Sequence, residues 1–118
     1  MTVELITSRD VMAEITRHRL ASFCIESQRY VNMEGNIAFI QPECYKAGDT
    51  ASAIWRMDLV EAENAYHKLL ENGWSTQDAR KVLPNSTATR IMMKANLREW
   101  RHIFALRTCP AAYPEIRA

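Results

Sequence analysis

Polar and apolar residues alternate at the start of the chain. Thr2-Val3-Glu4-Leu5-Ile6-Thr7 is rich in β-branched residues and predicts a short strand. Ser8 stands where a helix N-cap would, and the helix it opens is expected over about Arg9 to Thr16. Asp10 sits in its first turn, and Val11, Met12 and Ile15 form its apolar face. From Arg17 to Tyr30 the pattern breaks down: three arginines, a histidine and a carboxylate are mixed with Leu20, Phe23, Cys24 and Ile25. Neither period sorts them, which predicts a partly buried segment whose arginines face something anionic. Asn36-Ile37-Ala38-Phe39-Ile40 predicts a second strand, with Gly35 as the turn before it and Gln41-Pro42 as its end. A long helix is expected from about Ala51 to Asn72, opened by Asp49 or Thr50 and stopped by Gly73. Its buried side should hold Ile54, Met57, Leu59, Ala62, Ala65, Tyr66, Leu69 and Leu70. Ser75-Thr76-Gln77-Asp78 has the form of a capping box opening a short helix through Val82, which Pro84 ends. Thr87 to Lys94 alternates as a strand, and Asn96 leads into a last helix over about Leu97 to Thr108.

These elements predict one α+β domain, a small, mostly antiparallel sheet packed by helices. A chain of 118 residues has room for a single core. Its 47% hydrophobic and 25% charged residues are ordinary for a globular protein, and the formal charge of +1 provides no global field to recruit nucleic acid or membrane. No apolar run approaches the roughly 18 residues a membrane span needs. Thr2-Val3-Glu4 is not the basic start of a secretory signal, so a cytoplasmic protein is expected. Cys24, Cys44 and Cys109 are odd in number and lack metal-ligand spacing; buried, reduced thiols are expected. Trp55, Trp74, Trp100, Met92 and Met93 are expected in the core or an interface, and Asp58, Glu61 and Glu63 on a solvated helix face.

The basic residues are unevenly chosen, eleven arginines against four lysines. Arginine is favoured where a planar fork grips phosphate or carboxylate in two places, although compositional bias would also produce the excess. Arg17 and His18 have two readings, as cations complementing the C-terminal end of the preceding helix or as ligands for an anion. The last helix repeats the ambiguity. Arg98, His102 and Leu106 follow one another at i, i+4 and i+8 and share a face. With Asn96 at the N-cap, that face could receive a phosphate or a polar heteroaromatic ring; equally, Glu99 and Arg101 could mark a solvent side that Arg98 joins. Trp100, Ile103, Phe104 and Arg107 turn toward another face, the three apolar ones suited to the core. Conventional catalytic sets are missing: no GxSxG elbow, no HExxH, and only Gly35, Gly48 and Gly73 from which to build a nucleotide loop.

Arg17-His18-Arg19, seven residues and then Ser27 reproduce a signature of the flavin-dependent thymidylate synthases, and Glu26-Ser27-Gln28-Arg29-Tyr30 is similar to that family's continuation. Ala79-Arg80-Lys81-Val82-Leu83-Pro84 resembles a second block. Asn96-Leu97-Arg98, His102-Ile103-Phe104 and Leu106-Arg107-Thr108 resemble a third, in the same order and spacing. The resemblance implies conversion of dUMP to dTMP, with methylenetetrahydrofolate as one-carbon donor, reduced FAD as hydride source and NADPH as reductant. It places FAD against Arg17, His18, Arg19, Asn96, Arg98, His102 and Leu106. It places dUMP against Arg17, Ser27, Gln28, Arg29, Arg80 and Arg107, with Arg107 and Ser27 as the catalytic pair. It also implies a homo-oligomer, a tetramer with sites between subunits, and no metal, nucleic-acid or membrane partner.

Residues 1–118 are thus expected to form one flavin-dependent thymidylate synthase-like domain that lacks the family's N-terminal region and final helix. Ile25 stands where many members carry Glu or Gln, Gln28 where some carry Gly, and Glu14 where some carry a glutamine near the nucleotide. Two other readings make different predictions. A degenerate relative would bind FAD or nucleotide without turnover, and a nucleic-acid or partner-binding module would use the same arginines with steep salt dependence.

Overall fold

The structure, a computed structural model, describes residues 1–27 and 37–117. Its elements are β1 (Thr2–Ser8), α1 (Arg9–Ile15), β2 (Ser22–Ile25), α2 (Thr50–Glu71) and α3 (Thr76–Ala79). A 3₁₀ turn (Arg80–Val82), β3 (Ala88–Lys94), α4 (Leu97–Arg107) and α5 (Pro114–Arg117) complete the set. The three strands form one antiparallel sheet in the order β1-β3-β2. Leu5 lies opposite Ile91, and Phe23 opposite Met93, so the late strand β3 occupies the centre and ties both early strands together.

Alternation gives the sheet two unlike faces, because successive strand side chains point to opposite sides. Thr89, Ile91 and Met93 of β3 are buried, while Arg90, Met92 and Lys94 are exposed. The buried side packs Ile91 and Met93 against Ile15 of α1 and Trp100 and Ile103 of α4, with Val3, Leu5, Phe23 and Ile25 around them. Burying such side chains is the main driving force for this layer, at roughly 1.5–3 kcal/mol each. On the other side Glu4 pairs with Arg90 at 3.2 Å across the strands, beside an exposed Ile6. A second, smaller cluster joins Ile37, Tyr66 of α2 and Ala79 of α3. Met1 is pinned to this frame: its amino group donates to the Ala95 carbonyl at 3.0 Å, and the Trp100 indole donates to the Met1 carbonyl at 3.2 Å.

Several sequence expectations need correction. The strand expected over Asn36–Ile40 reduces, in its described part, to a single bridge between Phe39 and Thr87, and Gly35 and Asn36 lie outside the described residues. β2 already pairs with β3 over Ile91–Lys94, so this segment meets only the approach to β3, where Ala88 N–H donates to the Ala38 carbonyl at 2.9 Å. Ser8, Asp49 and Ser75 occupy N-cap positions without side-chain cap bonds. Ser8 instead lies within hydrogen-bond reach of Asp10 and 3.1 Å from Glu115, fastening α5 to the start of α1. Ser75 donates to the Asp78 carboxylate at 2.9 Å.

On α2, Ile54 and Met57 face outward, and Leu59 and Tyr66 carry the buried stripe. Glu63 is not merely solvated, since its carboxylate accepts from the Ile37 backbone N–H at 3.1 Å. Phe104 is exposed rather than a core residue, and Trp74 and Met92, expected in the core or an interface, lie exposed on this chain. The cysteines are free as expected, yet Cys24 and Cys44 are exposed and Cys109 is half-buried. Among the described residues no helix is long and apolar enough to cross a membrane.

Candidate functional site

Two turns of chain converge at the C-terminal end of α1. The Thr16 hydroxyl donates to the Met12 carbonyl at 2.9 Å and the helix closes there. His18 N–H then donates to the Ile15 carbonyl, and Ala21 N–H to the His18 carbonyl, so the chain reverses tightly before entering β2. This reversal turns His18 inward and leaves Arg17 and Arg19 exposed on either side. The mixed pattern at the start of the segment, Arg17 to Ala21, follows from its being a turn, and Ser22–Ile25 then forms β2.

The opposing wall is α4. Asn96 caps it properly, its Oδ1 accepting from the Glu99 N–H at 2.8 Å. Helical spacing then brings Glu99, His102 and Leu106 to one face, with Arg107 beside them in the last turn. Together with Arg17, His18, Arg19 and Leu20 they line an open cleft of about 280 Å3.

Within it the side chains are ordered by one another. Arg107 Nε donates to His18 Nε2 at 3.0 Å, and Arg107 Nη2 donates to the Glu14 carbonyl at 2.9 Å. The Glu14 carboxylate adds an ion pair with Nη1 at 3.7 Å. Because Nε2 accepts, neutral His18 carries its proton on Nδ1, which faces Glu99 Oε1 at 4.0 Å. The His102 ring meets His18 edge-on, with centroids 6.4 Å apart. Burial pushes the His18 pKa below its ordinary value; the Arg107 and His102 charges act in the same direction, against an upward pull from Glu99. A neutral histidine, a clamped guanidinium and two outer arginines make a site suited to an anionic, hydrogen-bonding ligand. Ligand-enclosing pockets run to about 300–1,000 Å3, so a ligand of dinucleotide size would reach beyond this cleft.

Comparison with known proteins bears on this geometry. The family model described as thymidylate synthase complementing protein matches residues 1–118. The chain belongs to that family. It is 37% identical over 112 residues to a flavin-dependent thymidylate synthase of Geobacter sulfurreducens, covering 94% of this chain and 48% of the relative. It is 36% identical over 113 residues to one from Pyrococcus furiosus, covering 93% of this chain and 46% of the relative. A Sulfurisphaera tokodaii enzyme of the same description is 38% identical over 112 residues, or 94% and 43% of the two chains. The chain therefore spans about half the length of the curated relatives it matches.

The thymidylate synthase complementing family motifs meet only in part within this chain. Arg17, His18, Arg19, His102, Leu106 and Arg107 share the cleft, although they come from blocks some eighty residues apart. Asn96 and Arg98 are not in its lining; Asn96 serves as the α4 cap and Arg98 is exposed in the first turn. Ser27 lies just past β2, where Glu26 N–H still donates to the Arg90 carbonyl at 3.0 Å. Arg80 is elsewhere again: its Nε donates to the Gln77 carbonyl at 3.0 Å, and it is close enough to Arg9 to help burial hold that guanidinium below its usual value. Gln28 and Arg29 fall outside the described residues.

One residue of the cleft was misjudged from sequence. Glu99 resembled a marker of the solvent side, yet it is only 6% exposed and faces His18. The available signal was its i, i+3 and i+7 spacing to His102 and Leu106, masked by the fact that a carboxylate in a first turn needs no further explanation.

Proposed function

We propose that this chain supplies one wall of a flavin-dependent thymidylate synthase site, and that the 118 residues act as one such domain within a homo-oligomer. The reaction is the methylation of dUMP to dTMP, with methylenetetrahydrofolate as one-carbon donor and NADPH as reductant. The observation that carries this reading is the convergence of Arg17, His18 and Arg19 with His102, Leu106 and Arg107 in one cleft.

The residue chemistry supports the division of roles. Arg17 and Arg19 are exposed cations flanking a buried imidazole, suited to the phosphates of FAD, with His18, His102 and Leu106 beside them. Reduced FAD, when bound, supplies the hydride. Arg107 is held rigidly through two hydrogen bonds and an ion pair, so its planar fork meets a nucleotide without reorganising. A fixed guanidinium beside a uracil carbonyl stabilises negative charge that develops there during reduction. Ser27, Gln28 and Arg29 offer hydroxyl, amide and guanidinium donors to the dUMP phosphate. Arg80 lies apart from the Arg107 cleft, so it would complete a site between subunits, reaching the dUMP of another copy. The same arrangement would let Asn96 and Arg98 contribute to a flavin that extends past the cleft.

The test is an absorbance spectrum of the purified protein with FAD and then dUMP. A flavin band that stays with the protein through gel filtration and shifts with dUMP is expected, followed by dUMP-dependent oxidation of NADPH. A protein that stays colourless and ignores both ligands would overturn the reading.

A further inference from the structure

We propose that Glu99 is a positioning residue of this site: its carboxylate keeps the His18 proton on Nδ1, so that Nε2 stays free to accept from Arg107 and aims that guanidinium. The observations form a chain of contacts. Glu99 is buried in the wall of the cleft and stands 4.0 Å from His18 Nδ1. His18 Nε2 accepts from Arg107 Nε at 3.0 Å, and the far side of the guanidinium is held by Glu14 at 2.9 Å. Arg107 is therefore gripped at both ends of its plane, and one of the two grips exists only in one histidine tautomer.

A neutral imidazole free in water favours the proton on Nε2. In this cleft that tautomer would turn an N–H toward the Arg107 N–H and break the contact. Something must reverse the preference, and a buried carboxylate facing the other nitrogen does so, because a negative charge favours a proton on the nitrogen nearest it. Among the other charged or titratable groups around His18, Arg107 acts in the same sense from the Nε2 side, and Glu99 is the carboxylate that faces Nδ1. Arg107 and His102 lie on the same helix, Arg17 and Arg19 flank it in sequence, and Glu14 reaches it only through Arg107. Glu99 is itself fixed, since its backbone N–H is the one capped by Asn96. The cap, the carboxylate, the imidazole and the guanidinium thus run in sequence from the start of α4 to its end.

Nitrogen-15 NMR of the imidazoles in the full chain tests this, with His67 and His102 assigned by single substitution. At neutral pH, His18 is expected to carry its proton on Nδ1 in the wild type and in Glu99→Gln, whose side-chain carbonyl oxygen still turns partial negative charge toward that nitrogen. In Glu99→Leu the proton should move to Nε2, and dUMP affinity should fall about tenfold, as when a group that orients a ligand-binding side chain is lost. The Gln variant should stay within about threefold of wild type, on the same grounds. A wild-type His18 protonated on Nε2 overturns the proposal without any variant, which protects the test if Glu99→Leu does not fold. An unchanged tautomer in a folded Glu99→Leu protein also overturns it. The affinity arm rests on the nucleotide role proposed for Arg107, whereas the tautomer arm does not. A chain that shows the tautomer switch but takes up no dUMP would support the role of Glu99 and sink the nucleotide reading.

Discussion

The role proposed for Arg107 depends on a geometry that a lysine could not copy. Its Nε and Nη2 are engaged with His18 and Glu14, Nη1 lies 3.7 Å from the Glu14 carboxylate, and the side chain lines the cleft. Arg107→Ala is expected to lower dTMP formation about 10²–10³-fold, the usual cost of removing one preorganised donor, and Arg107→Lys should recover little of it. Unchanged product formation in the Ala variant, followed by chromatography of dTMP, would remove Arg107 from the mechanism. His18 makes a separate prediction about pH. Its folded pKa lies below its ordinary value near 6.5, chiefly through burial and then through Arg107, so the unfolded chain takes up that proton more readily. The stability associated with neutral His18 is complete above about pH 6.5 and falls as the pH drops below it. Thermal midpoints measured against pH should show this acid-side loss in the wild type and a flatter profile in His18→Gln. Equal slopes in the two proteins would mean that His18 stays solvated.

At the scale of elements, α4 matters most, because one helix carries core residues on one side and cleft residues on the next. Trp100 and Ile103 pack on the sheet, and that packing sets the rotation of Glu99, His102 and Leu106. Asn96 is its N-terminal side-chain cap, and Asn96→Ala should destabilise the protein by about 1 kcal/mol in urea unfolding. If Asn96 also contacts flavin, the same variant should lose flavin by more than its stability loss explains. This element was well legible in the sequence. Asn96, the 3.6-residue period and Pro110 marked its bounds almost to the residue, and the shared face of His102 and Leu106 was visible from spacing. Phe104 was not: its neighbours Ile103 and Trp100 are buried, yet it is 54% exposed. Periodicity places a residue on a face, but only the partner surface decides how wide the buried stripe is. The same limit applies to Ile54 and Met57 on α2, whose apolar character is plain and whose covering is absent from the described residues.

For the molecule as a whole, the centre is β3. Ile91 and Met93 are fully buried between α1 and α4, and β3 alone joins β1 to β2. Ile91→Ala should cost about 2–5 kcal/mol, read from denaturant midpoints at unchanged slope. Loss of that strand would separate Arg17–Arg19, which enter from the early strands, from Arg107, which follows the late one. The open cleft also makes a molecular-scale prediction. If flavin is held between copies, its retention should fall on dilution together with the size of the particle in gel filtration. Flavin retention independent of concentration would instead mean that one chain suffices.

What the sequence determined by itself was local. Strand alternation, helical period, the Asn96 cap, and the residue types and spacing of three motif blocks are all written within a few positions of each other. These were enough for the α+β class and for most element bounds. The resemblance of those blocks to the family added Arg17, His18, Arg19, His102, Leu106 and Arg107 as candidates. What only the tertiary structure decided was which of these residues meet. Strand order depends on pairing between segments roughly seventy to ninety residues apart, with β3 between both early strands as antiparallel partner. That insertion brought the α1 turn against the end of α4, joined His18 to Arg107 and buried Glu99 beside them. It also left Ser27 and Arg80 elsewhere. A carboxylate's sequence neighbours cannot reveal whether it faces water or a buried imidazole, because that depends on the element across from it.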